Sequence, residues 1–241
     1  MMHWFENWFD SKYYHTLYNN RDENEAKLFI DNIINFLQIK DAINIIDIAC
    51  GKGRHAKYLN SLGHKVVGID LSKKSINHAK SLSKEDLKFA VHDMRKTFKE
   101  KGFDLALNLF TSFGYFKNES DDKNTIVAMN QNLKNHGILV IDFMNVNKVI
   151  RNIVKEECKI INGITFKINR EILKNRIVKN ILVLDKGNKY HFKESVRLLD
   201  HSLLSTLLKE NGFTILKEFG NYKLDDYSSK DSDRLIFVAK K

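Results

Sequence analysis

The sequence predicts an α/β protein built on a Rossmann-like, mostly parallel sheet of seven strands. Short β-branched runs alternate with helical patterns from Asn44 onwards, an order that is typical of parallel strands joined by crossover helices. A Gly-x-Gly turn, formed by Gly51 and Gly53, connects the first of these strands to the first helix. With 241 residues, the chain is long enough for one domain with a sizeable core.

The core strands can be placed along the chain from these runs. They are NIIDI from Asn44, KVVGID ending at Asp70, LKFAVHDM ending at Met94, FDLALN from Phe103, GILVIDFMN after an Asn-His-Gly turn, FTILKEF after a glycine stop, and RLIFVAKK at the end. Helical spacing separates most of them, as in Ala56, Leu59 and Leu62, and a further helix is predicted from about Lys123 to Leu133. We expect the last strand to be antiparallel.

An aromatic segment and a helix precede this core. Leu28, Phe29, Ile33, Ile34 and Leu37 recur at helical spacing and predict an amphipathic helix over residues 25–37. The aromatic residues before it are Trp4, Phe5, Trp8, Phe9, Tyr13, Tyr14 and Tyr18. They either anchor the segment to the core or form a lid over a ligand, with Tyr14, His15, Tyr18 or Arg21 facing the site.

A second segment, from Cys158 to Leu199, interrupts the core after the fifth strand. ITFKINREILKN, RIVKNILVLDKGNKY and HFKESVRLLD predict three antiparallel strands, and Asp185-Lys-Gly-Asn is a turn between the last two. Strands inserted here lie beside the carboxyl ends of the core strands, where ligands bind. His191 and Arg197 then face a substrate, are solvated on an exposed sheet, or belong to a dimer contact.

These segments complete the domain organisation that the sequence predicts. We expect a single domain over residues 1–241 with four regions. They are an N-terminal cap (1–40), a cofactor-binding core (41–150), an inserted sheet (151–199) and C-terminal core elements (200–241).

The glycine turn predicts a nucleoside-cofactor site. Glycines let a ligand approach the backbone, and the following helix offers free N–H groups. Asp70 lies about 20 residues further on, where an acid binds a ribose in such folds. The spacing alone also fits a dinucleotide, but Asp47 at the end of the first strand would repel a pyrophosphate. S-adenosylmethionine (SAM) carries an ammonium and a sulfonium, and both favour a nearby anion.

The stretch from Asp47 to Arg54, DIACGKGR, resembles the SAM-binding motif of class I methyltransferases. That motif runs acid-x-Gly-x-Gly-x-Gly, and here Ala49 stands in place of its first glycine. The resemblance extends to a subgroup that reads Asp-x-x-Cys-Gly-x-Gly-Arg. The order of the later strands matches the same family from about Asn44 to Lys240, with one insertion.

The resemblance implies a set of site residues. An acid at the place of Asp93 binds the adenine amino group in this family, and the next residue, Met94, packs on the ring. The cofactor residues that we expect are Tyr18, Asp47, Ala49, Cys50, Gly51, Gly53, Arg54, Asp70, Leu71, Asp93, Met94, Asn108 and Leu109. The expected acceptor residues are Tyr14, Phe110, Phe113, Tyr115 and Arg197.

The sequence also disfavours several substrates. DNA amino-methyltransferases carry an Asp/Asn-Pro-Pro-aromatic motif after the fourth strand, whereas this chain has no proline and reads Asn108-Leu-Phe-Thr there. Cytosine-C5 enzymes need a nucleophilic cysteine in a proline-containing motif, and neither Cys50 nor Cys158 lies in one. The net charge of +10 is scattered over single lysines and forms no basic stripe for nucleic acid.

Together these patterns predict a SAM-dependent enzyme that methylates a small molecule. Alternatives are an NAD-dependent oxidoreductase, a non-catalytic SAM-binding protein and an RNA methyltransferase. No apolar run is long enough for a membrane span, and the two cysteines predict neither a disulfide framework nor a metal site. We therefore expect a cytoplasmic monomer or homodimer.

Methyl transfer from a sulfonium has an excellent leaving group, so the enzyme mainly aligns the reactants and excludes water. A general base is needed only where the acceptor must lose a proton early. The candidates are His15, Tyr115, Asp142 and His191, and each has an ordinary structural alternative. The sequence singles out none of them.

Overall fold

The computed structural model describes residues 4–18, 23–100 and 102–241. The strands are β1 (Asn44–Ile48), β2 (Lys65–Asp70), β3 (Leu87–Val91), β4 (Phe103–Asn108), β5 (Leu133–Met144), β6 (Glu156–Ile161), β7 (Ile164–Leu173), β8 (Arg176–Asp185), β9 (Asn188–Arg197), β10 (Thr214–Phe219) and β11 (Arg234–Lys240). The helices are α1 (Trp4–Phe9), α2 (Lys12–Leu17), α3 (Glu23–Phe36), α4 (Arg54–Ser61), α5 (Lys73–Lys80), α6 (Glu119–Asn132), α7 (Val146–Arg151) and α8 (His201–Glu210).

Seven strands form the main sheet in the order β3-β2-β1-β4-β5-β11-β10. The strands from β1 to β5 pair in parallel, and β11 runs antiparallel to both of its neighbours. Alternate residues of one strand enter two different apolar clusters, as Ile45 and Ile46 do in β1. The sheet is therefore buried on both faces, as parallel sheets require. The predicted fold class is confirmed.

One helix, α6, begins earlier than the apolar spacing predicts. α6 begins at Glu119 rather than near Lys123, and Asn118 before it has an extended backbone. Glu119, Asp121 and Asp122 occupy its first turn. Negative charges at a helix N-terminus interact favourably with the helix dipole, so a polar first turn is stable although it shows no apolar periodicity.

The inserted sheet has four antiparallel strands, in the order β6-β7-β8-β9, instead of the predicted three. The additional strand, β6, pairs with β7 through a two-residue turn at Asn162 and Gly163, both of which have positive φ. Asn-Gly is the preferred sequence of such a hairpin turn. The strand was missed because its residues are half-exposed or exposed and do not alternate between apolar and polar. α7 separates this sheet from β5.

The N-terminal helices pack on the inserted sheet. Trp8, Tyr13 and Leu17 form one buried cluster with residues of β7 and β8 such as Phe166 and Ile181. Polar contacts accompany the packing, because the Trp8 indole donates a hydrogen bond to Glu194 at 2.5 Å. Of the helices that the structure describes, none combines the length and apolar character needed to cross a bilayer.

Candidate active site

A pocket of about 340 Å³ lies at the carboxyl ends of β1, β2, β3 and β4. The glycine turn after β1 and the residues that follow β2 and β3 line one part of it, and the loop after β4 lines another. Phe9, Tyr14, His15 and Tyr18 line it from the N-terminal helices. We refer to residues 7–18 as the lid.

The lid touches the core on two sides of this pocket. The Ser72 hydroxyl, at the N-cap of α5, donates a hydrogen bond to the Asp10 carboxylate. The ring of Phe9 lies 5.3 Å from that of Tyr115, edge to face, in the loop after β4. The lid thus joins the two sides of the pocket, and an arrangement of this kind excludes water from whatever binds beneath it.

The glycine turn has three left-handed residues with different surroundings. Ala49, Gly51 and Gly53 have φ values of +63°, +56° and +82°. A Cβ on Gly51 would meet no atom within 4 Å, so the pocket is open there. A Cβ on Gly53 would lie 2.6 Å from the ring of Phe89. Gly51 therefore leaves room for a ligand, whereas Gly53 does not line the pocket and permits close packing behind the turn.

Asp47 supplies a buried carboxylate at the pocket. Its side chain is 2% exposed, and among the described residues its Oδ2 has no hydrogen-bond partner. Burial, and then the charge of Asp70, raises the pKa of Asp47 to about 7. A buried oxygen without a partner is unstable unless a ligand compensates it. A cationic group in the pocket would do so, and the ammonium of SAM fits this requirement.

Asp70 ends β2 at the pocket and shapes the backbone around it. Its Oδ2 accepts a hydrogen bond from the Gly51 amide at 2.8 Å, and its Oδ1 accepts one from the Ser72 amide at 2.8 Å. Burial raises the pKa of Asp70. Each carboxylate oxygen can accept a further hydrogen bond, so the pair of oxygens also fits two adjacent hydroxyl groups.

Asp93 and Met94 line the pocket after β3, together with His92. Arg95 forms a two-point ion pair with Asp93, with Nη2 to Oδ2 at 2.6 Å. Burial alone would raise the pKa of Asp93, but Arg95 outweighs it and holds the pKa below its ordinary value. The carboxylate therefore stays ionised and acts as an acceptor.

The pocket brings together most of the residues that the sequence singles out. Those that line it are Tyr14, His15, Tyr18, Asp47, Ala49, Cys50, Gly51, Arg54, Asp70, Leu71, Asp93, Met94, Leu109, Phe110 and Tyr115. Five further predicted residues, like Gly53, do not line the pocket: Asn108, Phe113, Asp142, His191 and Arg197. Arg21 lies outside the described residues. Phe113 is fully buried in the core, and Asn108 donates a hydrogen bond to the Ile48 carbonyl at 3.0 Å. His191 is exposed on β9, and Arg197 is buried against Asp122 at 2.5 Å.

The location of Arg197 has a physical reason. Val196 and Arg197 end β9 against the core, and the Arg197 amide donates to the Gly114 carbonyl at 2.9 Å. Its guanidinium then meets the acidic first turn of α6, at Asp122 and Glu119. The order of the strands predicts that the inserted sheet lies near the carboxyl ends of the core strands. It does not predict the ion pair between Arg197 and Asp122, because these two residues lie far apart in the sequence.

Sequence reasoning did not select several lining residues, among them Lys52, His55, Ser72 and His92. His55 is the most informative of them. It is 8% exposed, and burial, followed by the charge of Arg54, lowers its pKa to about 3, so the ring is neutral. Its ring lies 5.1 Å from that of Phe110. The sequence indicates its place in the pocket only through its position in the first turn of α4, directly after the glycine turn.

The comparisons with known proteins agree with this architecture. A family model described as a methyltransferase domain matches residues 39–220. A glycine/sarcosine N-methyltransferase of Aphanothece halophytica is 26% identical over 231 residues, which is 92% of this chain and 83% of that protein.

Two solved structures are similar over nearly the whole chain. A SAM-dependent methyltransferase from Clostridium acetobutylicum superposes with a TM-score of 0.82 at 18% identity, over 95% of this chain and 96% of the other. An amino pentose methyltransferase from Micromonospora echinaspora, solved with SAM, gives 0.70 at 18% identity, over 95% and 97%.

The family match covers more than half of the chain and contains the glycine turn and the strands that build the pocket. The fold, a seven-stranded sheet whose last strand is antiparallel, is the same as in these solved structures. The chain therefore belongs to the class I methyltransferase family, whose methyl donor is SAM. It is an enzyme that transfers methyl groups.

Proposed function

We propose that the protein transfers the methyl group of SAM to an amine nitrogen of a small molecule, in the pocket between the lid and the core sheet. The observation that carries this proposal is the partnerless, buried Oδ2 of Asp47 in a pocket that also contains Asp70 and is lined by aromatic rings. A cationic nucleoside satisfies both acids. The subgroup motif from Asp47 to Arg54 supports the same assignment of the cofactor end.

On this proposal each acidic residue binds a different part of SAM. Asp47 neutralises the ammonium, Asp70 accepts the ribose hydroxyls, and Asp93 accepts the adenine amino group beside Met94. Gly51 leaves space for the methionine portion. When bound, SAM supplies a methyl group on a sulfonium, which the acceptor's lone pair displaces in line.

Two findings support an amine acceptor. The glycine/sarcosine and amino pentose enzymes among the similar proteins act on nitrogen-containing small molecules. The acceptor side of the pocket is lined by the rings of Phe9, Tyr14, Tyr115 and Phe116, and aromatic faces attract ammonium groups. A methylated ammonium product is stabilised on such a surface, as is the charge that develops on nitrogen during transfer.

An amine must be unprotonated when it attacks, so a proton acceptor near the lid helps the reaction. His15 lines the pocket, and burial, then the charge of Lys52, lowers its pKa. It is therefore neutral at pH 7 and can accept a proton. Tyr115 stays a second candidate because it also lines the pocket. His191 lies outside the pocket, which disfavours it.

The proposal is tested by transfer of methyl-labelled SAM to glycine, sarcosine and an amino sugar, followed by mass spectrometry. We expect one of these amines, or another member of an amine panel, to be methylated, with one S-adenosylhomocysteine formed per methyl group. The methyl transfer measured with Asp70→Ala supplies the background of this assay. Transfer to RNA alone, or SAM binding with no methylated amine, contradicts the proposal. The cytoplasmic location, the oligomeric state and the four-region division stay predictions.

A further inference from the structure

The loop after β4 begins with a strained corner. Phe110 and Thr111 have φ values of +58° and +57°, and both line the pocket. Residues with a Cβ rarely adopt this left-handed conformation, and two in succession persist only where their surroundings hold them. Strain of this kind occurs preferentially at functional sites.

Asp142 holds this corner from β5. Its Oδ2 accepts a hydrogen bond from the Phe110 amide at 2.7 Å, and its backbone carbonyl accepts one from the Thr111 amide at 3.0 Å. Arg234 of β11 donates from Nη2 to the Thr111 hydroxyl at 2.8 Å. Phe110 is therefore fixed through its backbone amide, and Thr111 through its amide and its hydroxyl.

The two holding residues also bind each other. Arg234 Nε lies 2.7 Å from Asp142 Oδ1, and the Asp142 side chain is fully buried. The Tyr222 hydroxyl donates a third hydrogen bond to the carboxylate, at 3.2 Å from Oδ2. Burial, and then the charge of Asp142, raises the pKa of Tyr222, so this hydroxyl keeps its proton. Both oxygens of Asp142 are thus occupied, and the residue does not line the pocket.

The corner fixes where the Phe110 ring lies. That ring is 5.1 Å from the ring of His55 on one side and 5.1 Å from the ring of Tyr222 on the other. The Arg54 guanidinium lies 4.8 Å from its centre. A relaxed corner would move this ring, and with it the part of the pocket wall that joins the glycine-turn helix to the loop after β4.

We propose that Asp142 and Arg234 are positioning residues for methyl transfer, which act by holding the Phe110–Thr111 corner in its left-handed conformation. The inference rests on the proposed function, in which methyl transfer takes place in the pocket that Phe110 and Thr111 line. It also gives Asp142 a role other than general base. Alignment within a fraction of an ångström is the main contribution that an enzyme makes to such a displacement.

Thr111→Gly removes the hydroxyl that Arg234 holds and lets residue 111 leave the left-handed conformation. It makes little demand on the fold, because glycine also adopts a positive φ without strain. We expect this variant to unfold cooperatively near the wild-type Tm and to bind S-adenosylhomocysteine within about threefold of wild type. We expect its kcat on the methylated amine to fall at least tenfold. Asp142→Asn should lower kcat as well, but with a fall in Tm, because it leaves the Arg234 guanidinium without its ionic partner. Thr111→Ser, which keeps the hydroxyl for Arg234, should retain more activity than Thr111→Gly.

Lys174→Gly is the matched control. Lys174 also has a left-handed backbone, with φ +55°, but it lies in the turn between β7 and β8 and not at the pocket. Relief of strain there should leave kcat unchanged. Wild-type kcat in Thr111→Gly or in Asp142→Asn overturns the proposal, and so does a loss of activity in Thr111→Gly that only follows a fall in Tm.

A readout without an acceptor separates this proposal from the proposed function. The ratio of the Kd values for SAM and S-adenosylhomocysteine reports on the surroundings of the sulfur, because the two differ only in its methyl group and its positive charge. We expect Thr111→Gly to change this ratio at least threefold and Lys174→Gly to leave it unchanged. If the wild type methylates no amine, the proposed function fails, but an altered ratio still supports the positioning role. An unaltered ratio overturns it.

Discussion

At the scale of single residues, Asp47 sets the pH dependence of the site. Its pKa is raised to about 7 in the folded protein and is near 4 in an unfolded chain. The unliganded fold therefore holds a proton that the unfolded chain has lost, and stability falls as the pH rises from about 4 to 7. The loss is on the order of 4 kcal/mol by linkage.

Asp47→Asn removes this effect. We expect the unliganded variant to have a higher Tm than wild type at pH 8, with a smaller difference at pH 5. SAM affinity should move in the opposite direction, because the variant has no charge for the ammonium and should bind SAM at least tenfold more weakly. Wild-type affinity for SAM should itself increase between about pH 6 and 8. Thermal melts and calorimetry across that range are decisive, and a pH-independent affinity would contradict the role of Asp47.

We expect substitution of the two glycines of the turn to have different effects, on SAM binding for Gly51 and on stability for Gly53. Gly51→Val should leave the protein folded, although at some cost in Tm because valine disfavours a positive φ, and should abolish the gain in Tm that SAM gives wild type. Gly53→Ala should destabilise the fold directly, because its Cβ would lie 2.6 Å from the Phe89 ring. Equal behaviour of the two variants in melts with and without SAM would show that the assignment is wrong.

The backbone conformation of Ala49 explains why the family motif has glycine at this position. It has φ +63° at the place where the family motif has glycine. The left-handed conformation costs an alanine about 1–2 kcal/mol, part of which glycine regains. Ala49→Gly should therefore raise the free energy of unfolding by about 0.5–1 kcal/mol, measured by denaturant titration, with SAM affinity retained. A destabilised variant would contradict this explanation of the motif.

At the scale of elements, the lid is held by the inserted sheet. Glu194 of β9 accepts hydrogen bonds from Trp8 and Tyr18, and Lys179 lies 3.5 Å from it. Asp185 accepts from Lys12 and Tyr13, both at 2.9 Å. The sheet is therefore a platform for the lid, and this contact lies outside the pocket itself.

Glu194→Ala tests that connection. We expect it to weaken SAM binding severalfold and to accelerate SAM release, because the lid loses its hydrogen bonds from Trp8 and Tyr18 to the inserted sheet. Glu171→Ala, which changes an exposed carboxylate on β7 of the same sheet, is the control and should bind SAM as wild type does. Stopped-flow measurements of SAM release compare the two variants. An unchanged release rate in Glu194→Ala would show that the inserted sheet does not hold the lid over SAM.

The same sheet also supports the loop after β4. Arg176 donates hydrogen bonds to the carbonyls of Gly114, Tyr115 and Phe116, at 3.0–3.3 Å, and to Ser195. Arg176→Ala leaves these carbonyls without their donor and should lower the free energy of unfolding by about 2–4 kcal/mol. Arg170→Ala removes a pair with Glu157 on the same sheet and should cost less, since both groups are partly exposed. Denaturant titration distinguishes them.

At the scale of the whole molecule, the core could be predicted from the sequence because contiguous residues determine each of its strands, turns and helices. NIIDI, the glycine turn and the helical spacing that follows are contiguous, and together they determine a strand, a turn and a helix. The same is true of Asp47, Gly51 and Asp70, which the strand ends place at the pocket.

What could not be predicted depends on contacts between distant segments. Nothing near Trp8 shows that it packs on β7 and β8, and nothing near Arg197 shows that it pairs with Asp122 of α6. The strained corner at Phe110 and Thr111 is likewise explained only by Asp142 and Arg234, which lie on β5 and β11. Asp47 and Asp70, which lie at or near the ends of strands, line the pocket as expected, whereas Asn108 at the end of β4 does not.

The central claim is that this pocket binds SAM through the acids at the ends of β1 and β2. Titration calorimetry of SAM against the wild type and Asp70→Ala tests it most directly. We expect one SAM per chain for the wild type, no comparable binding of NAD, and an affinity at least tenfold lower for the folded variant, because hydrogen bonds to a charged acceptor contribute about 1.5–3 kcal/mol each. Equal SAM affinity in a folded Asp70→Ala protein would contradict the claim.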